Sequence, residues 1–228
     1  MLIYPNIEIR DLGLYLIKER TLIISDIHIG YEDSLTKNGF MIPKVHFKEF
    51  LKRLSNMLDN VETVVINGDL KHDFGGISST EYRESKELFD LLKGKKIILN
   101  EGNHDPVLKF LVKDIIIQDY YKVGDILICH GDKVISEDCK VIIIGHEHAA
   151  VGLKEGIRIE KYKCFLKGKF KGKILIVMPS SNLVVEGTDV LRESRLSPYL
   201  QKSLDNFEVF IISDKVYDFG KLNGLLKV

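Results

Sequence analysis

The strongest constraint on this chain of 228 residues is a pattern that occurs five times: a short, almost wholly apolar run that gives way at once to a polar cluster. The runs occupy residues 22–24, 64–66, 97–99, 126–128 and 141–144. Continuous apolar runs of this length, rich in β-branched residues, suit strands covered on both faces. The segments between them favour helix. Over residues 43–59 the apolar side chains Phe47, Phe50, Leu51, Leu54, Met57 and Leu58 keep a helical period, with Pro43 in the first turn. Ser78 and Glu81 have capping-box spacing before the stripe Leu88, Phe89, Leu91 and Leu92. Asp105 followed by Pro106 reads as an N-cap that opens a short helix over 107–112. Strand alternating with helix predicts an α/β sheet.

The remaining segments look different. Residues 7–10 and 14–18 are strand-like around a turn, and so are 208–213 and 216–219. Residues 157–166 and 174–178 flank a turn rich in glycine and lysine. These hairpins predict a second, more antiparallel sheet packed on the first, within one domain spanning 1–228. Apolar residues make up 45 % of the chain and charged ones 29 %, with 33 basic residues against 33 acidic. That balance excludes a surface that attracts polyanions everywhere. Three cysteines without a CxxC pair exclude a disulfide framework and a thiolate zinc cage, which points to the cytoplasm. The longest apolar runs are far shorter than the roughly 18 residues needed to cross a bilayer.

The polar clusters carry the chemistry. They are Ser25, Asp26, Ile27 and His28; Asn67 to Asp73; Asn100 to Asp105; Cys129 to Asp132; and Gly145 to His148. Ligands bind outside the carboxyl ends of strands in α/β sheets, so the five clusters are expected to meet in one crevice. Six of the seven histidines fall in these clusters, and His46, the seventh, reads as an exposed or partly packed side chain. Imidazole, carboxylate and amide without thiolate suit manganese, iron, zinc or nickel. Asp26, His28, Asp69, Asn103, His130, His146 and His148 are too many ligands for one ion, and they fill two sites if one carboxylate bridges. Two such cations can acidify a water and stabilise the attacking and leaving oxygens of an in-line displacement at phosphorus.

In this order the clusters resemble the signature of the calcineurin-like metallophosphoesterases: DxH, GD, GNHD or GNHE, a histidine followed by glycine, and GHxH. The resemblance implies a four-layer α-β-β-α sandwich, two packed β-sheets flanked by helices, with two divalent metal ions, manganese foremost. It implies Asp26, His28, Asp69 and His148 around one ion and Asp69, Asn103, His130 and His146 around the other, with Asp69 shared. It also implies that His104 assists the leaving group while a metal-bridging hydroxide attacks in line. The stretch Gly68, Asp69, Leu70, Lys71, His72 is closer to the GDLxH of SbcD-type nucleases than to the GDxxDRG of protein phosphatases. His72 therefore joins His104 as a catalytic candidate, and the expected activity is that of a nuclease-like phosphodiesterase. The chain is also similar to small SbcD-related phosphoesterases and ligase-associated endonucleases, which implies a helicase or ligase partner. It has no room for the capping domain of the large nucleases, so processive action on duplex DNA is not expected. Phosphomonoester or cyclic-nucleotide hydrolysis is the second reading of the same centre, and a non-catalytic scaffold the third.

From residue 154 to 173 eight basic residues face two acidic ones, interleaved with Tyr162, Phe165 and Phe170. Lys161, Lys163, Lys167 and Lys169 are accordingly candidates for contacting a single-stranded or structured nucleic acid; a solvated hairpin whose lysines discourage edge pairing is the competing reading. Cys129 reads as a small buried thiol and Glu147 as pointing away from the ligands on either side of it. Asp73 and Asp132 read as supports for the ligands or as turn residues.

Overall fold

The five apolar runs become central strands of two sheets in the computed structural model, which describes residues 1–73, 75–105, 115–156 and 158–225. The first sheet has seven strands in chain order: β1 (Leu2–Tyr4), β2 (Ile7–Arg10), β3 (Gly13–Leu16), β4 (Thr21–Ile24), β5 (Thr63–Asn67), β6 (Lys96–Asn100) and β7 (Ile116–Gln118). From β4 to β7 the strands are parallel. Between β4 and β5 lie α1 (Tyr31–Lys37) and α2 (His46–Met57), and α3 (Ser79–Leu91) joins β5 to β6.

The second sheet contains β8 (Tyr120–Val123), β9 (Ile126–Cys129), β10 (Val141–Ile144), β11 (Ala149–Glu155), β12 (Arg158–Phe170), β13 (Lys173–Val177) and β14 (Thr188–Asp189). Their order is β14-β11-β12-β13-β10-β9-β8, with β15 (Glu208–Ile212) against β12 and β16 (Val216–Lys221) against β15. The strands β9, β10 and β13 are parallel in register. A short helix, α4 (Leu222–Leu225), ends the described chain.

Alternation inside the apolar runs explains the layers. In β10, Val141 and Ile143 enter the core between the sheets, whereas Ile142 and Ile144 enter a core on the outer face. In β4, Ile23 faces inward, and Leu22 and Ile24 meet Phe50, Leu54 and Met57 of α2. Both faces are buried, so these strands contain no polar alternation. The outer face of the second sheet is covered by Val190, Tyr199, Leu200, Leu204, Phe207 and Leu222, from a segment with little regular structure.

The sequence-based expectations need three adjustments. The hairpin of β2 and β3 joins the first sheet, because the reversal at 17–20 hands β3 to β4 with Leu14 opposite Ile23. The five runs are therefore divided three and two between the sheets. The helix expected over 43–59 begins at His46, whose backbone N–H is taken by Glu32 Oε1 at 3.1 Å. The capping box forms as expected, with Glu81 N donating to Ser78 Oγ at 3.1 Å and Ser78 N to Glu81 Oε2 at 2.8 Å. The helix expected over 107–112 lies outside the described residues.

Where α3 meets α1, the Glu84 carboxyl is pushed up to about 7 by burial and by the charges of Glu32 and Asp33. A carboxyl whose folded value is raised binds its proton more tightly in the folded state, so it costs nothing at low pH and destabilises as pH rises past 4.5 toward 7 and beyond. Glu84→Gln is expected to leave the melting temperature unchanged at pH 4.5 and to raise it at pH 8, as thermal denaturation at the two pH values would read.

Candidate metal centre

All five polar clusters leave the carboxyl ends of parallel strands, three from the first sheet (β4, β5, β6) and two from the second (β9, β10). Two amides with no exposed surface hold those ends together. Asn67 Nδ2 donates to Cys129 O at 2.8 Å, and Asn100 Nδ2 donates to Ile128 O at 3.0 Å and to Asn67 Oδ1 at 2.8 Å. The loops are then laced by their backbones. Asp26 N donates to Gly68 O, His28 N to Asp69 O, Ile29 N to Leu70 O and Gly145 N to His130 O.

Local backbone conformation is unusual at the centre. Among the described residues ten non-glycine positions have positive φ, and five of them are Asp26, His28, Asp69, His146 and His148, with φ between 48° and 62°. Each left-handed residue with a Cβ costs on the order of 1 kcal/mol or more, and such strain persists only where the surroundings over-determine it. Two glycines make the approach of loops possible. A Cβ on Gly145 would stand 1.9 Å from Ser25 Oγ and 2.4 Å from Asp26 Oδ2; one on Gly102 would stand 2.3 Å from both Asp69 N and Asp69 Oδ1.

The side chains form two donor groups that share Asp69, with ligand atoms within 4.8 Å of one another in each. The first is Asp26, His28, Asp69 and His148. Here His28 Nε2 lies 3.1 Å from His148 Nε2 and 3.6 Å from Asp69 Oδ2, and His148 Nε2 lies 3.4 Å from Asp26 Oδ1. The second is Asp69, His130 and His146, and Asn103 completes it with Oδ1 3.0 Å from His130 Nε2. His146 Nδ1 lies 3.2 Å from the same nitrogen.

Electrostatics fit a cation. Burial alone raises a carboxyl, yet the imidazoles of His148, His130 and His28 outweigh it and hold Asp26 well below the carboxylate range. Asp69 is lowered too, through His130 against its own burial. Burial and the neighbouring His148 press His28 down to about 3, and burial and His130 press His146 down. His130 goes the other way, up to about 9, because Asp69 and Asp26 overcome its burial. Ionised carboxylates beside imidazoles, with nitrogen meeting nitrogen at hydrogen-bond distance, constitute a donor set for borderline divalent ions.

A third group, His28, His72 and His104, adjoins the first. His104 N donates to Asp69 Oδ1 at 2.9 Å, and His104 Nδ1 donates to His72 O at 2.6 Å. The rings of His72 and His104 stack with centroids 5.7 Å apart, and Tyr31, a residue that sequence reasoning passed over, sets its ring edge-on to His72 at 4.5 Å.

The basic candidates are not gathered at this centre. Strand β12 runs the length of the sheet, so Lys163, opposite Ala150, stands at the crevice end while Lys169, opposite Ile174, stands at the far end. Lys161 pairs with Glu193 at 2.5 Å, Lys163 donates to Ser180 O and Asn182 O, and Lys167 pairs with Glu208 and donates to Ile3 O. Lys169 is exposed. Cys129 is buried and its thiol pushed up to about 12. Glu147 turns away from the ligands, and its Oε2 accepts from Leu196 N and Ser197 N. Asp105, read from sequence as a helix cap, accepts from Gly102 N, Leu70 N and Lys71 N and so ties the second and third loops together. His46 is half-buried.

Residues 19–150 match the family model described as calcineurin-like phosphoesterase. The nuclease MPE of Pseudomonas putida superposes with a TM-score of 0.66 at 17 % identity, over 92 % of this chain and 93 % of that one. The protein AQ665 of Aquifex aeolicus gives 0.39 at 25 % identity over 55 % and 77 %. Wild-type Vps29 of Entamoeba histolytica complexed with zinc gives 0.35 at 19 % identity over 90 % and 93 %. No curated protein sequence matches.

Close approach at the glycines makes them sensitive. Gly145→Ala and Gly102→Ala are each expected to cost about 1–3 kcal/mol of stability, as overpacking does, and to cut the number of divalent ions retained after gel filtration, read by metal analysis of the purified variants.

Proposed function

The chain belongs to the calcineurin-like phosphoesterases, and from that membership we propose that it is a divalent-metal-dependent phosphodiesterase of nuclease type, acting on single-stranded or structured nucleic acid. Asp26, His28, Asp69 and His148 would hold one ion, and Asp69, Asn103, His130 and His146 the other. Two bound cations, manganese foremost with iron, zinc and nickel as alternatives, supply the charge that acidifies water and neutralises phosphoryl oxygens.

The observation that carries the diester reading is the paired imidazoles of His72 and His104 at the edge of the donor groups. A phosphodiester brings one negative charge and an alkoxide leaving group that must be protonated. A monoester brings a second charge, which favours a cationic clamp. Burial and His104 lower His72, so it meets the substrate as a neutral donor and acceptor suited to a monoanion. His104, its ring fixed by donation to the His72 carbonyl, gives the proton to the departing oxygen. His28 and Tyr31 enclose His72 and fix its orientation.

Turnover of bis-(4-nitrophenyl) phosphate, its monoester, and labelled DNA and RNA in both strand forms tests this reading, with manganese added or chelator present. Expected are a tenfold or greater preference for diesters and loss of activity with chelator. His104→Ala should lower kcat by about 10²–10⁴ with manganese still bound. Preference for the monoester would overturn the assignment.

A further inference from the structure

We propose that Lys163 is a positioning residue for the Asp26–His28 arm of the metal centre, acting through the loop at 180–182; the inference rests on the ligand assignment above. The chain of contacts is continuous. Lys163 Nζ donates to Ser180 O at 2.7 Å and to Asn182 O. That loop in turn engages the carbonyl of every residue from Ser25 to His28. Ser181 N donates to Ser25 O at 2.8 Å, Ser180 Oγ to Asp26 O at 2.7 Å, and Asn182 Nδ2 to Ile27 O at 2.9 Å and to His28 O at 3.4 Å.

These four residues need such a brace. Asp26 and His28 both hold left-handed backbone, a conformation that side chains resist and that relaxes unless its carbonyls are fixed from outside. The 180–182 loop is itself irregular chain, with Asn182 N donating to Ser180 Oγ and Val184 N to Asn182 Oδ1. Lys163, anchored on β12 opposite Ala150, ties it to the sheet. The ammonium is costly where it stands. Burial and the charge of Arg53 bring it down to about 7, and Asp26 is the acid that opposes them. An apolar side chain would fill the same space without that cost, so the two N–H donors account for a lysine at this position. Residues 163 and 180–182 all lie outside the segment that matches the family model, 19–150.

Calorimetric titration of the metal-free full chain with manganese, without substrate, tests the proposal. Lys163→Met keeps the length of the side chain and removes the donors. Expected is a tenfold or greater loss of affinity for one of the two ions, with the other unchanged and the melting temperature of the metal-free protein within about 4 °C of wild type, while Lys163→Arg recovers part of the loss. Ser180→Ala removes the next link and is expected to weaken the same ion in the same direction, so the outcome does not hang on one variant. If the lysine acted only as a charge behind Asp26, its removal would raise cation affinity; a rise, an unchanged titration, or equal weakening of both ions with a collapse in stability overturns the proposal. Wild-type protein that binds both ions yet prefers monoesters would sink the diester reading and leave this inference standing.

Discussion

Two buried amides, Asn67 and Asn100, fix the relation between the two sheets at the end where it matters. The core between the sheets is apolar, and apolar packing excludes water without specifying which carboxyl end lies over which. Hydrogen bonds are directional. By donating to the carbonyls of Ile128 and Cys129, the amides set the ends of β5 and β6 against the end of β9. Left unpaired, amides and carbonyls at this depth would cost about 1–3 kcal/mol each, so sliding one sheet over the other is opposed by several such losses at once. The shared carboxylate of Asp69 can serve both donor groups because that registration is held.

The centre is then built under strain and braced from behind. Five of its seven donors sit in left-handed backbone, where their side chains turn toward one another. Motif loops support one another in front: Asp105 gathers the second and third, and backbone bonds join the first to the second. The support behind comes from the later part of the chain. Ser197 Oγ donates to Gly131 O at 2.7 Å, and Glu147 accepts the amides of Leu196 and Ser197. Thr188 N donates to His148 O at 3.0 Å. Among the described residues, the segment after β13 contributes no donor to either group and holds the loops that do.

Charge is distributed to the same end. The chain is neutral overall, and the concentration of lysine between 154 and 173 looks in sequence like a single basic patch. A strand of thirteen residues spreads it along the sheet, and Lys161, Lys163 and Lys167 meet carboxylates or carbonyls of their own protein. Two buried carboxylates, Asp26 and Asp69, are concentrated at the centre among imidazoles, of which His28 and His146 are lowered by burial and His130 is raised by the carboxylates themselves. A centre of that kind suits divalent cations, and in the function proposed above the positive field of those ions would draw a phosphate ester into the crevice.

Local order along the chain was legible without coordinates, because it is written in short-range terms. Apolar runs marked the strands, the Ser78 and Glu81 spacing marked the start of α3, and Asp26, His28, Asp69, Asn103, His130, His146 and His148 stood out as ligand types placed directly after strands. Pairing partners were not legible. The β2–β3 hairpin joined the first sheet, the runs divided between two sheets, and the roles of Asp105, Lys163 and Asn182 emerged only as contacts between residues 17 to 155 positions apart. Residue chemistry and spacing determined which groups could bind metal and phosphate. Where each group stands was decided by strand pairing and buried hydrogen bonds over long sequence separations, whose energies depend on partners that no local window of sequence contains.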